Sequence, residues 1–323
     1  MQRKLALLLP IVVLLGGWQF LQKFQILGLD ALGLKPRAEQ AAVAPGALQA
    51  LPPARSGDVL RIASFNIQVF GEAKLSDPKV AACLAQIVRK FDVVAIQEVR
   101  AKDANLVNRF VQQVSAAGVP YDCVVGPRLG RSDSKEQYAY IFDATRVEVD
   151  RVSVYTVKDP DDLLHREPLV AGFRARGVPP NEAFTFTLID IHTDPDETDR
   201  ELNVLDDVFR AVREDGRGED DIILLGDLNV DEAHLGQLGA LPYLSYVISG
   251  VPTNTRGTKT YDNILFDRRA TTEFLGRGGV LDLVREFNIT LDQALLISDH
   301  CPIWAEFSVY EGGRAGNIAA RPK

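Results

Sequence analysis

Between residues 59 and 310 the chain alternates short apolar runs with amphipathic stretches. LRIASFNIQVF reads as a buried strand, and SDPKVAACLAQIVRKF follows as a helix with Ser76 or Asp77 as cap and Pro78 in its first turn. DVVAIQEV reads as a second buried strand and DANLVNRFVQQVSAAG as a helix ending at Gly118. YDCVVG, QYAYIFD, VEVDRVSVYTV, PLVAGFRAR and FTFTLIDIH then read as strands separated by turn residues. A helix is predicted over 197–213, with Leu202, Leu205, Phe209 and Val212 on one face. DIILLGDLNVD, TYDNILF and CPIWAEFSV add three strands. Hairpin-like runs mixed with strand–helix alternation predict an α/β layered sandwich: two mixed or antiparallel sheets packed together with helices outside.

Outside that block the pattern changes. Residues 5–21, LALLLPIVVLLGGWQFL, are apolar on every helical face and follow Arg3 and Lys4. This predicts an N-terminal signal anchor over 1–24, with a cleaved signal peptide as the alternative. The flanking positive charges would stay cytoplasmic, placing the remainder outside the cytoplasm, or secreted if the segment is cleaved. Residues 25–58, rich in Ala and Pro toward their end, read as a flexible linker, and 311–323 as a loose tail.

Composition narrows the chemistry. The 323 residues carry a formal net charge of -8, which argues against gripping polyanions by bulk positive charge but leaves room for a local basic cleft or a bound cation. Three cysteines, Cys83, Cys123 and Cys301, lie far apart without CxxC spacing, so neither a zinc cluster nor a disulfide framework is suggested. A buried, inert thiol is expected at each.

Several strands end or begin in polar clusters that a core does not need. DVVAIQEVR stops at Gln97 and Glu98, LIDIHTDPDE at His192 and Asp194, and IILLGDLNVD at Asp227 and Asn229; TYDNILF opens with Asp262, and ISDHCPIW carries Asp299 and His300. Two of the four histidines of the chain thus stand beside carboxylates at strand ends. Oxygen ligands such as Glu98, Asp227, Asn229 and Asp299 suit Mg2+, with Mn2+ or Ca2+ as alternatives. A carboxylate-held imidazole can take a proton from water while a second, protonated one serves the departing oxygen. GxSxG and P-loop signatures are absent, which argues against serine hydrolases and nucleotide-triphosphate motors.

Taken in order, FNIQVFG, QEVR, GDLNVD, YDNILF and SDHCPI resemble the endonuclease/exonuclease/phosphatase family. The resemblance implies a four-layer sandwich and hydrolysis of a phosphoester by activated water. It further implies Asn66 and Glu98 at metal and phosphate, Asp227 and Asn229 beneath the scissile phosphate, and Asp299 with His300 as a metal-ligand and histidine pair. GRSDSKEQYAYIF is similar to the deoxyribonuclease I segment whose glutamate holds a catalytic histidine, which implies a Glu136–His192 pair and DNA as substrate. The same resemblance gives Asp262 as a carboxylate supporting catalysis, and Arg100 and Arg166 as minor-groove or phosphate contacts. Guanidinium forks suit both acceptors. Tyr138 stands as either a groove contact or strand packing. No cysteine follows GDLN, where deoxyribonuclease I has one, so the disulfide of that branch is not expected. A sphingomyelinase-like phospholipid phosphodiesterase is the competing member of the same family, and no protein partner is implied.

Overall fold

The computed structural model describes residues 57–131 and 134–313. The predicted anchor, the linker as far as residue 56 and the tail from residue 314 lie outside the described residues. Among the described residues no helix is long and apolar enough to cross a membrane.

The chain runs β1 (Val59–Phe70), α1 (Glu72–Ser76), α2 (Pro78–Val88), β2 (Val93–Val99), α3 (Leu106–Ser115), β3 (Tyr121–Val125), β4 (Gln137–Asp143) and β5 (Val147–Thr156). It continues through β6 (Leu169–Ala175), β7 (Thr185–His192), α4 (Thr198–Leu202), α5 (Leu205–Arg213), β8 (Ile222–Asp227), β9 (Leu244–Tyr246) and β10 (Asp262–Asp267). The last elements are β11 (Phe274–Val280), α6 (Leu283–Phe287), α7 (Leu291–Ile297) and β12 (Ile303–Ser308). The Asp77 side chain caps α2 by accepting the Lys79 and Val80 amides, with Pro78 in the first turn. The helix predicted over 197–213 is two helices, because the chain turns at Asn203 and Val204; Leu202 and Leu205, on either side of the turn, are both buried. Its apolar period continues through the break, which is why the sequence reads as one element.

The strands form two six-stranded sheets, ordered β11-β12-β1-β2-β4-β3 and β5-β6-β7-β8-β10-β9. Each sheet has one parallel pair at its centre, β1 with β2 and β7 with β8, and antiparallel pairs elsewhere. Alternation along β7 and β8 sorts the layers. Phe186, Leu188, Ile223 and Leu225 join the core between the sheets, while Ile189, Ile191, Ile222 and Leu224 pack outward on Leu205, Phe209 and Val212 of α5. Across the interface Phe173 meets Tyr140 and Phe142 at ring distances of 5.5 and 5.7 Å, and Phe307 meets Phe184 and Phe266 at 5.9 Å each. On the first sheet's outer side α2 and α3 contribute Leu84, Ile87, Phe110 and Val114. The architecture is a four-layer α/β sandwich, as predicted. The C-terminal ends of both parallel pairs arrive at one end of it, where Asn66 of β1 reaches Asp227 of β8.

All three thiols are free. Cys123 and Cys301 are buried, and burial pushes each up to about 11. Cys83 departs from expectation in being only partly covered.

Candidate active site

Two irregularities of backbone aim the side chains at this end. Between Ile96 and Val99, β2 has one residue more than β4 has between Ala139 and Gln137, and Glu98 lies inside that bulge with φ 61°. Bulges of this kind redirect a side chain out of the ladder. β1 loses register between Asn66 and Phe70, and Val69 there has φ 54°. A β-branched residue in the left-handed region is strained, and the Val69 amide donates to Glu98 Oε2 at 2.8 Å. Asn229, just past β8, also adopts the left-handed conformation, at φ 54°.

Two histidine–carboxylate pairs face one another across Asp227. His192 Nδ1 lies 2.7 Å from Glu136 Oε1, and His300 Nδ1 lies 2.9 Å from Asp262 Oδ2. Each imidazole turns Nε2 toward the same atom, Asp227 Oδ2, at 3.5 Å. That oxygen also accepts from Asn66 Nδ2 at 3.0 Å, while Asp227 Oδ1 accepts the Asn229 amide at 3.0 Å. Burial alone would lower the His192 pKa, but the Glu136 hydrogen bond and the charges of Asp227 and Glu136 outweigh it and raise it. His300 is likewise raised against burial, by Asp262, Asp227 and Asp299. Burial opposes ionisation of Glu136, yet His192, Arg166 and Arg100 hold its carboxyl below the usual range. With a carboxylate on Nδ1, each imidazole presents Nε2 toward Asp227 Oδ2 and is stabilised when it takes up a second proton.

The remaining predicted residues fall into two groups. Glu98, Asp299, Asn66 and Asn229 gather around the dyads. Asn66 Nδ2 lies 3.2 Å from Glu98 Oε1, Gln68 Nε2 donates to Asp299 Oδ2 at 3.0 Å, and Asn229 Nδ2 donates to the Thr193 carbonyl at 2.8 Å. Arg100 bridges Glu98 Oε2 at 3.1 Å and Glu136 Oε2 at 3.4 Å while keeping part of its guanidinium exposed. Arg166 and Tyr138 turn inward, Tyr138 in the strand-packing role the sequence left open. Tyr138 is 1% exposed, and its hydroxyl accepts the His192 amide at 2.9 Å. Arg166 is buried and donates to the carbonyls of His192 and Thr193 at 3.0 Å each, with Nε 2.9 Å from Glu136 Oε1. Both therefore hold the end of β7 in place.

Sequence reasoning missed Gln68, Lys74 and Thr253. Thr253 Oγ1 donates to Asp262 Oδ2 at 2.6 Å, fixing the carboxylate that holds His300. Lys74 donates to the Ile297 carbonyl and stands near Asp299 and Glu98; burial brings it down to about 8. The available signal for Lys74 was its place two residues after FNIQVFGE.

The family sequence pattern described as "Endonuclease/Exonuclease/phosphatase family" matches residues 63–300. The chain belongs to the endonuclease/exonuclease/phosphatase family. It is 31% identical to human deoxyribonuclease-1-like 1 over 277 residues, covering 82% of this chain and 90% of that protein. With human deoxyribonuclease-1-like 2 it shares 32% identity over 273 residues, covering 76% and 90%. Among solved structures, a humanized D. rerio TDP2 superposes with a TM-score of 0.55 at 19% identity, covering 78% of this chain and 99% of that one. The human Nocturnin catalytic domain does so at 0.52 and 16% identity, covering 78% and 94%.

Members of this family are generally divalent-cation dependent, and the donor set fits a hard cation. Asn66 Oδ1 and Asp299 Oδ1 are buried and accept no hydrogen bond, and Glu98 lies beside Asn66. At this end one ligand-type atom from each of Asp227, Asp262 and His300 lies within 4.8 Å of the other two, but there His300 already pairs with both carboxylates. Oxygen donors on Glu98 and Asp299 suit a hard divalent cation better.

Glu136→Gln tests the first dyad. The His192 titration, followed by NMR of its imidazole carbons, is expected to move down toward the ordinary histidine value, and turnover to fall by roughly 10² or more. A histidine whose pKa is raised on folding contributes stability below its unfolded pKa, and this is lost as pH rises through the folded one. The variant should therefore lose more melting temperature at pH near 6 than near 9. An unmoved His192 titration would make Glu136 a purely structural strand-end residue.

Proposed function

We propose that this family member is a divalent-cation-dependent endonuclease of deoxyribonuclease I type, hydrolysing phosphodiester bonds in DNA. The observation that carries the reading is the pair of buried histidine–carboxylate dyads converging on Asp227 Oδ2, which suits in-line displacement at one phosphorus. The identity to deoxyribonuclease-1-like 1 and 2 across most of the chain supports the same choice of substrate.

Water attacks phosphorus, and the bond from phosphorus to the departing oxygen breaks. One imidazole takes the proton from the attacking water through Nε2; the other donates its Nε2 proton to the departing oxygen. Glu136 and Asp262 keep the rings in the tautomer that presents Nε2 and stabilise the charged form. Mg2+ held by Glu98 and Asp299, with Asn66 Oδ1, would offset negative charge on the phosphoryl oxygens. Arg100, partly exposed above Glu98 and Glu136, adds the local positive charge that the acidic chain lacks overall. The apolar run at residues 5–21 supports a membrane-anchored placement with the catalytic domain outside the cytoplasm.

The test is to incubate the purified full-length chain with supercoiled plasmid, RNA and sphingomyelin vesicles, with magnesium or with chelator. Plasmid nicking that needs magnesium and disappears in the His192→Ala, His300→Ala double variant is expected. Lipid hydrolysis without nicking would transfer the protein to the phospholipid phosphodiesterases of the family.

A further inference from the structure

The opposite end of β8 carries a second convergence of carboxylates. Asp221, immediately before β8, and Glu273, immediately before β11, are each 1% exposed. Glu311, just past β12, is exposed at the surface beside them. One carboxylate oxygen from each of Asp221, Glu273 and Glu311 lies within 4.8 Å of the other two, and Asp221 also groups with Glu219 and Asp220. Asp221 Oδ1 and Glu273 Oε2 are buried and accept no hydrogen bond. Among the described residues no lysine or arginine forms an ion pair with Asp221, Glu273 or Glu311.

We propose that Asp221, Glu273 and Glu311 form a divalent-cation site of calcium type that ties the start of β8, the start of β11 and the chain after β12 together. Two buried carboxylates with a third beside them, none in an ion pair with a lysine or arginine among the described residues, cannot all ionise readily without a counter-charge. Two unpartnered buried oxygens are what a cation would occupy, and an ion with oxygens at roughly 2.3–2.6 Å spans the observed spread. The exposed Glu311 leaves one side open for entry and for water ligands. Burial and the neighbouring charges of Glu273, Glu219 and Glu311 push the Asp221 carboxyl up to about 9.

The backbone is built to hold these side chains still. Glu273 Oε1 accepts the Gly312 amide, Glu311 Oε2 accepts the Thr185 amide at 3.1 Å, and Glu219 Oε1 accepts the Asp221 amide at 2.9 Å. Ser308 donates to the Glu273 carbonyl at 2.8 Å and Glu311 to the Glu182 carbonyl at 2.9 Å, so both sheets meet here. The length of β8 separates this place from Asp227 by about 20 Å. The role is structural, and its test does not depend on the substrate proposed above.

The full-length protein is melted in chelator and in millimolar CaCl2. A rise of roughly 5 °C or more is expected for the wild type, the shift of an ion bound well above its dissociation constant. Asp221→Asn and Glu273→Gln should abolish the rise, whereas Asp299→Asn at the other end should keep it. Because the variants can fail to fold, crystals of the wild type soaked in terbium provide a second measurement, with an anomalous peak expected among Asp221, Glu273 and Glu311. Wild type without a calcium-dependent rise, variants that retain it, or terbium absent from this place would each overturn the proposal. A wild type indifferent to calcium, with variants more stable than it in chelator, would identify a proton-sharing carboxyl cluster instead.

Discussion

Replacing His300 with alanine is expected to lower plasmid nicking by roughly 10²–10⁴-fold, the range lost when a positioned acid or base is removed. His300 is buried between two carboxylates, with Nδ1 2.9 Å from Asp262 and Nε2 3.5 Å from Asp227. Asp262→Asn should cost less than the loss of the ring but still more than tenfold. The amide can accept the Nδ1 proton yet supplies no charge to stabilise an imidazolium, and Thr253 would then have to re-pair. The loss should fall on kcat, since neither histidine holds the ground-state substrate in the proposed mechanism. If both histidines act on one phosphate, His192→Ala and the double variant should lie close to the His300→Ala rate, because members of one catalytic unit are not additive. Removing the imidazolium also leaves Asp227 and Asp262 facing each other, so a fall in melting temperature belongs to the expectation; circular dichroism on the same samples separates it from lost chemistry. A His300→Ala rate within threefold of wild type would remove His300 from the reaction.

The strand ends that carry these residues are legible because a core strand has no use for Glu98, His192, Asp227 or His300 at its border. Glu136 is legible for a similar reason, as a charge directly before QYAYIFD. What escaped reading depends on contacts far apart in the chain. Alternation in QYAYIFD does put Tyr138 on the face of Tyr140 and Phe142, which pack between the sheets, so its inward direction was available from the pattern alone. Arg166 lies in a loop, and only the placement of the His192 and Thr193 carbonyls turns it inward. Lys74 and Ile297 are 223 positions apart, and no local pattern could join them. β11 went unread because Gly276, Gly278 and Gly279 erase the apolar alternation that marks a strand. The carboxylates Asp221, Glu273 and Glu311 likewise look like separate solvated charges until both sheets bring them to one end.

Gly226→Ala is expected to be the most damaging single substitution in the domain. Gly226 pairs with Ile191 in the parallel ladder of β7 and β8, one step before the His192 and Asp227 pair. A Cβ built there would lie 1.9 Å from the Ile191 carbonyl oxygen, and the residue has φ +148°, which side chains rarely adopt. The clash is with backbone, so no rotamer change relieves it, and the two strands must separate where each delivers its catalytic residue. A loss of about 4 kcal/mol or more places this among the rare large point effects. It corresponds to a melting temperature lower by roughly 8–16 °C for a domain of this size. Nicking should fall further than the folded fraction, because separating the strands pulls His192 Nε2 and Asp227 Oδ2 beyond the 3.5 Å that brings both dyads to one oxygen. Gly177→Ala supplies the contrast: φ is +88° but nothing lies within 4 Å of its Cβ position. Its cost should be the left-handed penalty alone, about 1–2 kcal/mol. Equal melting temperatures for the two variants would mean that β7 and β8 yield at Gly226 without harm, and that the tight approach of the strands does not position the dyads.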